Sequence, residues 1–250
     1  MTDINLIQIT DLHLTKSKST IIQGINTYRS AQNIIKEIEN KYNKLDGLIL
    51  TGDLVDDQTD IGYQNLKKLL ANIKCPIYLI PGNHDSPSAM KSICDDRIKF
   101  INNCELSNNW VVFLFNTKLT KTHSGIFNNN DINQLDELLQ KYPKKYFIIF
   151  LHHPPINIDS PWMDSMSIKN PDKLYKLIKK YNTIKGVFCG HVHQEFETVM
   201  YSTKIYTTPS TCHQYTPKAT EFSLDHSLNP GYRFISLHNN GILKTKVFRL

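Results

Sequence analysis

Leu48-Ile49-Leu50-Thr51-Gly52-Asp53-Leu54-Val55-Asp56 is the stretch that decides the fold. Its aliphatic start reads as a short strand buried on both faces, and Gly52-Asp53 ends it in a tight turn carrying a carboxylate. The same succession, apolar run then polar cluster, occurs at other places along the chain. Ile4 to Ile9 precede Asp11-Leu12-His13, and Ile77 to Ile80 precede Gly82-Asn83-His84-Asp85. Phe147 to Leu151 precede His152-His153, and Val187 to Cys189 precede Gly190-His191-Val192-His193. A single Asp-x-His or Gly-Asn-His-Asp is usually a solvated turn. Clusters in phase with successive strands are what an α/β enzyme needs to gather ligands at one rim.

Between these strands the apolar period becomes helical. Ala31, Ile34, Ile35 and Ile38 mark a helix over Thr27 to Tyr42, and Leu66, Leu69 and Leu70 mark one from about Asp60 to Ile73. Pro87 after Ser86 opens a short helix, Trp110 to Asn116 reads as a strand, and a helix follows around Asp131 to Gln140. The last quarter alternates over Glu195 to Tyr201, Lys204 to Thr208 and Tyr232 to Leu237. An Asn240-Gly241 turn then leads into Ile242 to Phe248, which is antiparallel hairpin chemistry. The expected fold class is α/β: a four-layer αββα sandwich of two mixed sheets flanked by helices, one domain over residues 1–250.

Two divalent ions close together need a shared anionic ligand, and Asp53 is the natural bridge. Asp11 and His13, two residues apart, face one ion, which His193 completes. Asn83, His152 and His191 complete the second around the same Asp53. Oxygen and imidazole donors without thiolate suit Fe, Mn or Zn. His84 is left outside the ligand set. Asp85 or Asp56 would hold its imidazole in one tautomer, so that a protonated His84 stabilises a phosphoryl charge and protonates the departing alkoxide. His123, His226 and His238 lack partner clusters and read as surface or core residues, and strand alternation turns His153 away if His152 points in.

Bulk properties exclude other classes. The 250 residues carry a formal charge of +6, mostly dispersed lysine, with no arginine-rich arm or aromatic-interleaved basic stripe to suggest nucleic acid. No apolar run approaches the ~20 residues that span a bilayer, so no membrane partner is expected. Cys75, Cys94, Cys104, Cys189 and Cys212 are scattered and read as reduced thiols. With the first ligand already at Asp11, a cleaved leader would remove part of the site, so a cytoplasmic location is expected. The residues leave the oligomeric state open.

The ordered set D-x-H, G-D-x-x-D, G-N-H-[DE], H and G-H-x-H resembles the signature of the calcineurin-like metallophosphoesterase superfamily, spanning Asp11 to His193. Over nearly its full length the chain is similar to bacterial class III 3′,5′-cyclic AMP phosphodiesterases. That likeness is carried by Gly52 to Asp57, Pro81 to Asp85, His152 to Pro155 and Pro161-Trp162-Met163-Asp164, and further by Gly190 to Phe196, Pro209 to Cys212 and Pro230 to Arg233. It implies a dinuclear centre bridged by Asp53, His84 as the catalytic imidazole, and a small anionic nucleotide as substrate. It also implies contacts from His13, Asp53, Asn83, His84 and His193 to the nucleotide phosphate. Asn116 and His213 depart from the pattern. The same site would also serve a 2′,3′-cyclic nucleotide or a pyrophosphate-linked substrate, and a non-catalytic scaffold of the same fold is the reading from another class.

Overall fold

The apolar runs become the central strands of two sheets in the computed structural model, which describes residues 3–250. The first half of the chain contains β1 (Ile4–Ile9), a small hairpin of β2 (Ile21–Ile22) and β3 (Ile25–Asn26), α1 (Thr27–Lys41), β4 (Gly47–Thr51), α2 (Asp60–Leu69), β5 (Ile77–Ile80), α3 (Pro87–Ser92) and β6 (Ile98–Lys99). Then come β7 (Asn103–Glu105), β8 (Trp110–Leu114), α4 (Asn129–Lys141), β9 (Tyr146–Leu151), α5 (Pro161–Asp164), α6 (Asp172–Lys180) and β10 (Ile184–Cys189). The chain ends with β11 (Phe196–Met200), β12 (Thr203–Thr207), β13 (Gly231–Leu237) and β14 (Leu243–Arg249).

One sheet has the order β14-β13-β1-β4-β5-β6 and the other β11-β12-β10-β9-β8-β7. The strands that end in polar clusters lie in parallel runs, β1-β4-β5 and β9-β10, so their carboxyl ends share a direction within each sheet. The late strands close the edges antiparallel, β13 on β1, β14 on β13 and β11 on β12. Such mixed sheets are covered on both faces, which is why their inner strands are almost continuously apolar.

Side-chain alternation builds the layers. Ile7, Ile9, Leu48 and Leu50 face outward under Ala31, Ile34, Ile38 and Leu66 of α1 and α2. Val111, Phe113, Ile149 and Val187 face the other way, under Leu135, Leu139, Leu174 and Ile178 of α4 and α6. Leu6, Ile49, Ile80, Val112, Ile148, Phe150, Phe188 and Ile235 fill the space between the sheets. The four-layer sandwich is therefore present as expected.

Helix starts follow cap chemistry. Asn26 Oδ1 accepts from the Arg29 amide (2.8 Å), Thr59 Oγ1 from Gly62 (3.1 Å) and Asn128 Oδ1 from Asp131 (2.7 Å). The last of these starts α4 two residues earlier than its apolar period suggests. Conversely α2 ends at Leu69, short of Ile73, because the backbone turns there and the Ala71 and Ile73 amides bond back to Lys68 and Leu70.

Candidate metal centre

Three of the five clusters follow their strands through left-handed turns. Asp11, His13, Asp53, His191 and His193 all have positive φ, between 46° and 72°, and Gly52 has φ 94°. Non-glycine residues avoid this region at a cost of order 1–2 kcal/mol each, so its concentration at these five positions marks a site that the surrounding structure enforces. The turns are cross-tied: the Asp11 amide donates to Gly52 O and the His13 amide to Asp53 O, both at 2.9 Å, so the β1 and β4 ends are one unit. Gly82 lies so close that a Cβ there would run into the Asp53 carboxylate.

The ring nitrogens divide into an outer and an inner set. His13 Nδ1 is 2.9 Å from Asp56 Oδ1, His152 Nδ1 is 2.7 Å from Thr51 O, and His193 Nδ1 is 2.8 Å from His213 O. Their Nε2 atoms turn inward instead. His13 Nε2 and His193 Nε2 are 3.3 Å apart, His193 Nε2 is 3.4 Å from Asp11 Oδ1, and His152 Nε2 is 3.3 Å from Asp53 Oδ2 and 3.2 Å from Asn83 Oδ1. His191 contributes a buried Nε2 with no hydrogen-bond partner among the described residues. Imidazoles anchored through Nδ1 and converging through Nε2 are how proteins orient histidine ligands. Asp11, Asp53 and His152 each bring a donor atom within 4.8 Å of the others, as do His152, His153 and His191.

This donor set fits a pair of divalent cations. Two carboxylates and four imidazoles lie almost without solvent exposure beside the amide oxygen of half-buried Asn83, and two imidazole nitrogens at 3.3 Å are natural neighbours of a cation. The carboxylates stay ionised in this setting. Burial alone would raise Asp11 and Asp53, but the adjacent histidines outweigh it, bringing Asp11 to about 2 and Asp53 well below the usual range. Burial pushes His191 down to about 3, which keeps its ring neutral and available as a donor.

His84 stands at the edge of this group. Its amide donates to Asp53 Oδ1 (2.9 Å) and its Nδ1 lies 3.1 Å from Asp56 Oδ1. Burial would lower its pKa, but the Asp56 hydrogen bond and the charges of Asp53 and Asp56 reverse this, and the net shift is upward. Asp85 requires a correction. Its carboxylate points away from the imidazole and accepts from the Leu54, Val55 and Gly82 amides and the Tyr63 hydroxyl. It ties two strand-end turns together, and Asp56 alone holds the His84 ring.

Several residues come to the site that sequence reasoning passed over. His213 is buried with its ring 4.6 Å from that of His193, and burial takes its pKa down to about 2. Its only sequence signal was its place after the Pro-Ser-Thr-Cys stretch. The expectation that His153 turns away does not hold: it is buried with its ring 4.8 Å from that of His152 and 4.7 Å from that of His191, and its Nδ1 lies 2.9 Å from Thr117 Oγ1. His123 is exposed, but its Nδ1 is 3.1 Å from Asn83 Nδ2. His238 pairs instead with Asp3 (2.9 Å). Above the donors opens a cavity of about 300 Å³, whose far wall is Trp162, Met163, Met166 and Tyr215. Tyr215 stacks on His193 at 4.3 Å.

Among the described residues no helix is long and apolar enough to cross a membrane. The five cysteines are unpaired.

Comparison with known proteins agrees with this geometry. A 3′,5′-cyclic-nucleotide phosphodiesterase from Nostoc sp. is 35% identical over 247 residues, covering 99% of this chain and 92% of that one. The 3′,5′-cyclic adenosine monophosphate phosphodiesterase CpdA of Haemophilus influenzae is 33% identical over 248 residues, covering 99% and 90%. In structure, a dimetal phosphatase from Danio rerio superposes with a TM-score of 0.69 at 11% identity, covering 98% of each chain, which speaks to the fold alone. Residues 4–195 match the model of the calcineurin-like phosphoesterase family. With that match running through every turn that carries a donor, the chain belongs to the calcineurin-like phosphoesterases.

Proposed function

We propose that the chain hydrolyses 3′,5′-cyclic AMP to 5′-AMP at this centre. The observation that carries the reading is the convergence of inward-facing donors beside a protonatable imidazole, at the floor of a cavity with an aromatic far wall. The names and full-length similarity of the Nostoc and Haemophilus relatives support the choice of a cyclic nucleotide.

In this reading Asp11, His13, Asp53 and His193 hold one cation, and Asp53, Asn83, His152 and His191 hold the other. Asp53 suits the shared position, since its Oδ2 lies 3.3 Å from His152 Nε2 and 3.9 Å from His13 Nε2. When bound, two such cations neutralise phosphoryl charge and lower the pKa of the attacking water.

The chain's own residues do the rest. His13, Asn83, His84 and His193 line the cavity where the cyclic phosphate would sit. The water, having released one proton to solvent, forms its oxygen–phosphorus bond as the bond from phosphorus to the ribose 3′-oxygen breaks. That departing oxygen takes its proton from His84, whose other ring nitrogen is held by Asp56. Trp162 and Tyr215 offer aromatic surface to a nucleobase, a stacking role that every base can use. Asp85 has no part in the proton transfer.

The test is a side-by-side comparison of kcat/KM on Mn²⁺-loaded protein for 3′,5′-cyclic AMP, 3′,5′-cyclic GMP, 2′,3′-cyclic AMP and bis(p-nitrophenyl) phosphate. Because this ratio reports differential transition-state binding, cyclic AMP should lead the panel. Turnover of the chromogenic diester or the 2′,3′-cyclic nucleotide with higher kcat/KM would assign the site to another diester.

A further inference from the structure

We propose that His123 is a positioning residue that turns the Asn83 amide oxygen toward its cation, an inference that rests on the dinuclear reading above. Asn83 has two chemically opposite ends. Its Oδ1 faces the donor cluster, 3.2 Å from His152 Nε2, while its Nδ2 faces out of it. A carboxamide is nearly symmetric in shape, so nothing about packing alone chooses which end points in; the hydrogen-bond partners choose. The partner on the Nδ2 side is His123 Nδ1 at 3.1 Å. An amide nitrogen carries two hydrogens and can only donate, so His123 Nδ1 accepts, and its ring proton sits on Nε2. Turned the other way, the amide would present hydrogens to a cation and set oxygen against the His123 Nδ1 lone pair. His123 therefore selects the ligating orientation.

The segment that carries His123 is built to hold it there. Its root is pinned to the strand end that bears His152: Thr117 Oγ1 lies 2.9 Å from His153 Nδ1, and Gly125 is packed so closely on the His153 ring that a Cβ there would fall 2.7 Å from its atoms. The Ile126 amide closes the segment by donating to Thr117 O (3.0 Å), and the Lys169 amide donates to Gly125 O (2.9 Å). Lys118 donates its ammonium to the Asn83 carbonyl, fixing the backbone of the same ligand. Backbone and side chain of Asn83 are thus both held from one loop. The buried His153 thus anchors this loop beside the His152 and His191 rings.

The test is Mn²⁺ titration of metal-free protein by calorimetry, with Asn83→Ala as the reference for loss of the amide ligand. His123→Ala removes an exposed side chain and should weaken one of the two binding steps by ~10–100-fold, the usual range for an outer-sphere partner of a metal ligand. The other step should stay close to wild type. His123→Asn, whose Oδ1 replaces the Nδ1 acceptor, should recover most of the loss. In the Asn83→Ala background His123→Ala should have no further effect, because its action passes through that amide. Wild-type affinities in His123→Ala, no recovery in His123→Asn, or an undiminished effect without Asn83 would each overturn the inference alone. A wild-type protein that takes up fewer than two ions would overturn it together with the dinuclear reading.

Discussion

One oxygen atom does two jobs at this centre. Asp56 Oδ1 receives both His13 Nδ1 (2.9 Å) and His84 Nδ1 (3.1 Å), so a single carboxylate fixes the ring of the proposed metal ligand His13 and that of the proposed proton donor His84. The hydrogen bonds to the two imidazoles hold the Asp56 carboxyl far below its ordinary range. The counterpart is the upward shift of His84. A histidine with a raised folded pKa is fully protonated below its ordinary value and loses the proton as pH rises through the raised one. If that proton goes to the leaving oxygen, kcat/KM must decline on the alkaline side with the same midpoint. Asp56→Asn keeps an oxygen in place but removes the charge, so this decline should move to lower pH. His84→Ala should lose ~10²–10⁴-fold in rate, the size of a general-acid contribution, with metal content unchanged. An Asp56→Asn profile that overlays the wild type would detach Asp56 from the proton donor.

At the scale of elements, the end of β4 is where strand, turn and ligand meet. Gly52 takes φ 94°, and a Cβ there would fall 2.5 Å from His152 Nδ1 and 2.6 Å from the Gly82 amide nitrogen. Gly52→Ala therefore combines backbone strain with the displacement of a ligand and of the neighbouring turn. It should destabilise the fold by ~2 kcal/mol or more, above the ~1 kcal/mol of an ordinary substitution, and should lower Mn²⁺ affinity with it. Urea denaturation paired with metal titration checks both, and an affinity change without a stability change would place the strain elsewhere. Such strand-end turns were also the legible part of the molecule. Apolar runs ending in Gly-Asp, Gly-Asn-His or Gly-His-x-His announce both the strands and where their ligands lie, because a regular strand leaves little freedom to the turn at its end. Irregular segments carry no such period. Strands β6 and β7 and helix α5 are too short to show one, and His123 and His213 reach the site through loop packing that no local pattern encodes. Asp85 misled for the same reason: adjacency to His84 says nothing about side-chain direction when the turn sends the carboxylate back onto the Leu54 and Val55 amides.

Across the whole molecule, the centre lies on the seam between the two sheets. Asp11, Asp53 and Asn83 follow strands of one sheet, while His152, His191 and His193 follow strands of the other. Cations held by the proposed ligands would therefore tie the sheets to each other, adding to a tie that the protein makes without them. Gln8 Nε2 donates to Thr51 Oγ1 (2.9 Å) and Cys189 O (3.2 Å), Thr208 Oγ1 donates to Gln8 Oε1 (2.6 Å), and buried Arg233 donates to Thr208 Oγ1 (3.0 Å) and Thr207 O (2.8 Å). With this polar tie and the apolar layer around Phe150 and Phe188, the metal-free protein should remain folded. Metal should then act by linkage. At a free concentration a hundred times Kd a ligand that binds only the folded state adds ~2.7 kcal/mol. For a chain of this size each kcal/mol raises Tm by ~2–4 °C, so saturating Mn²⁺ should raise it by ~5–10 °C, and a chelator should reverse the rise. Asp53→Asn should lose more of that gain than Asn83→Ala, since Asp53 stands between both donor sets. Differential scanning fluorimetry across a Mn²⁺ series decides the matter: a melting temperature indifferent to metal, at concentrations that sustain turnover, would mean that the cations do not join the two sheets.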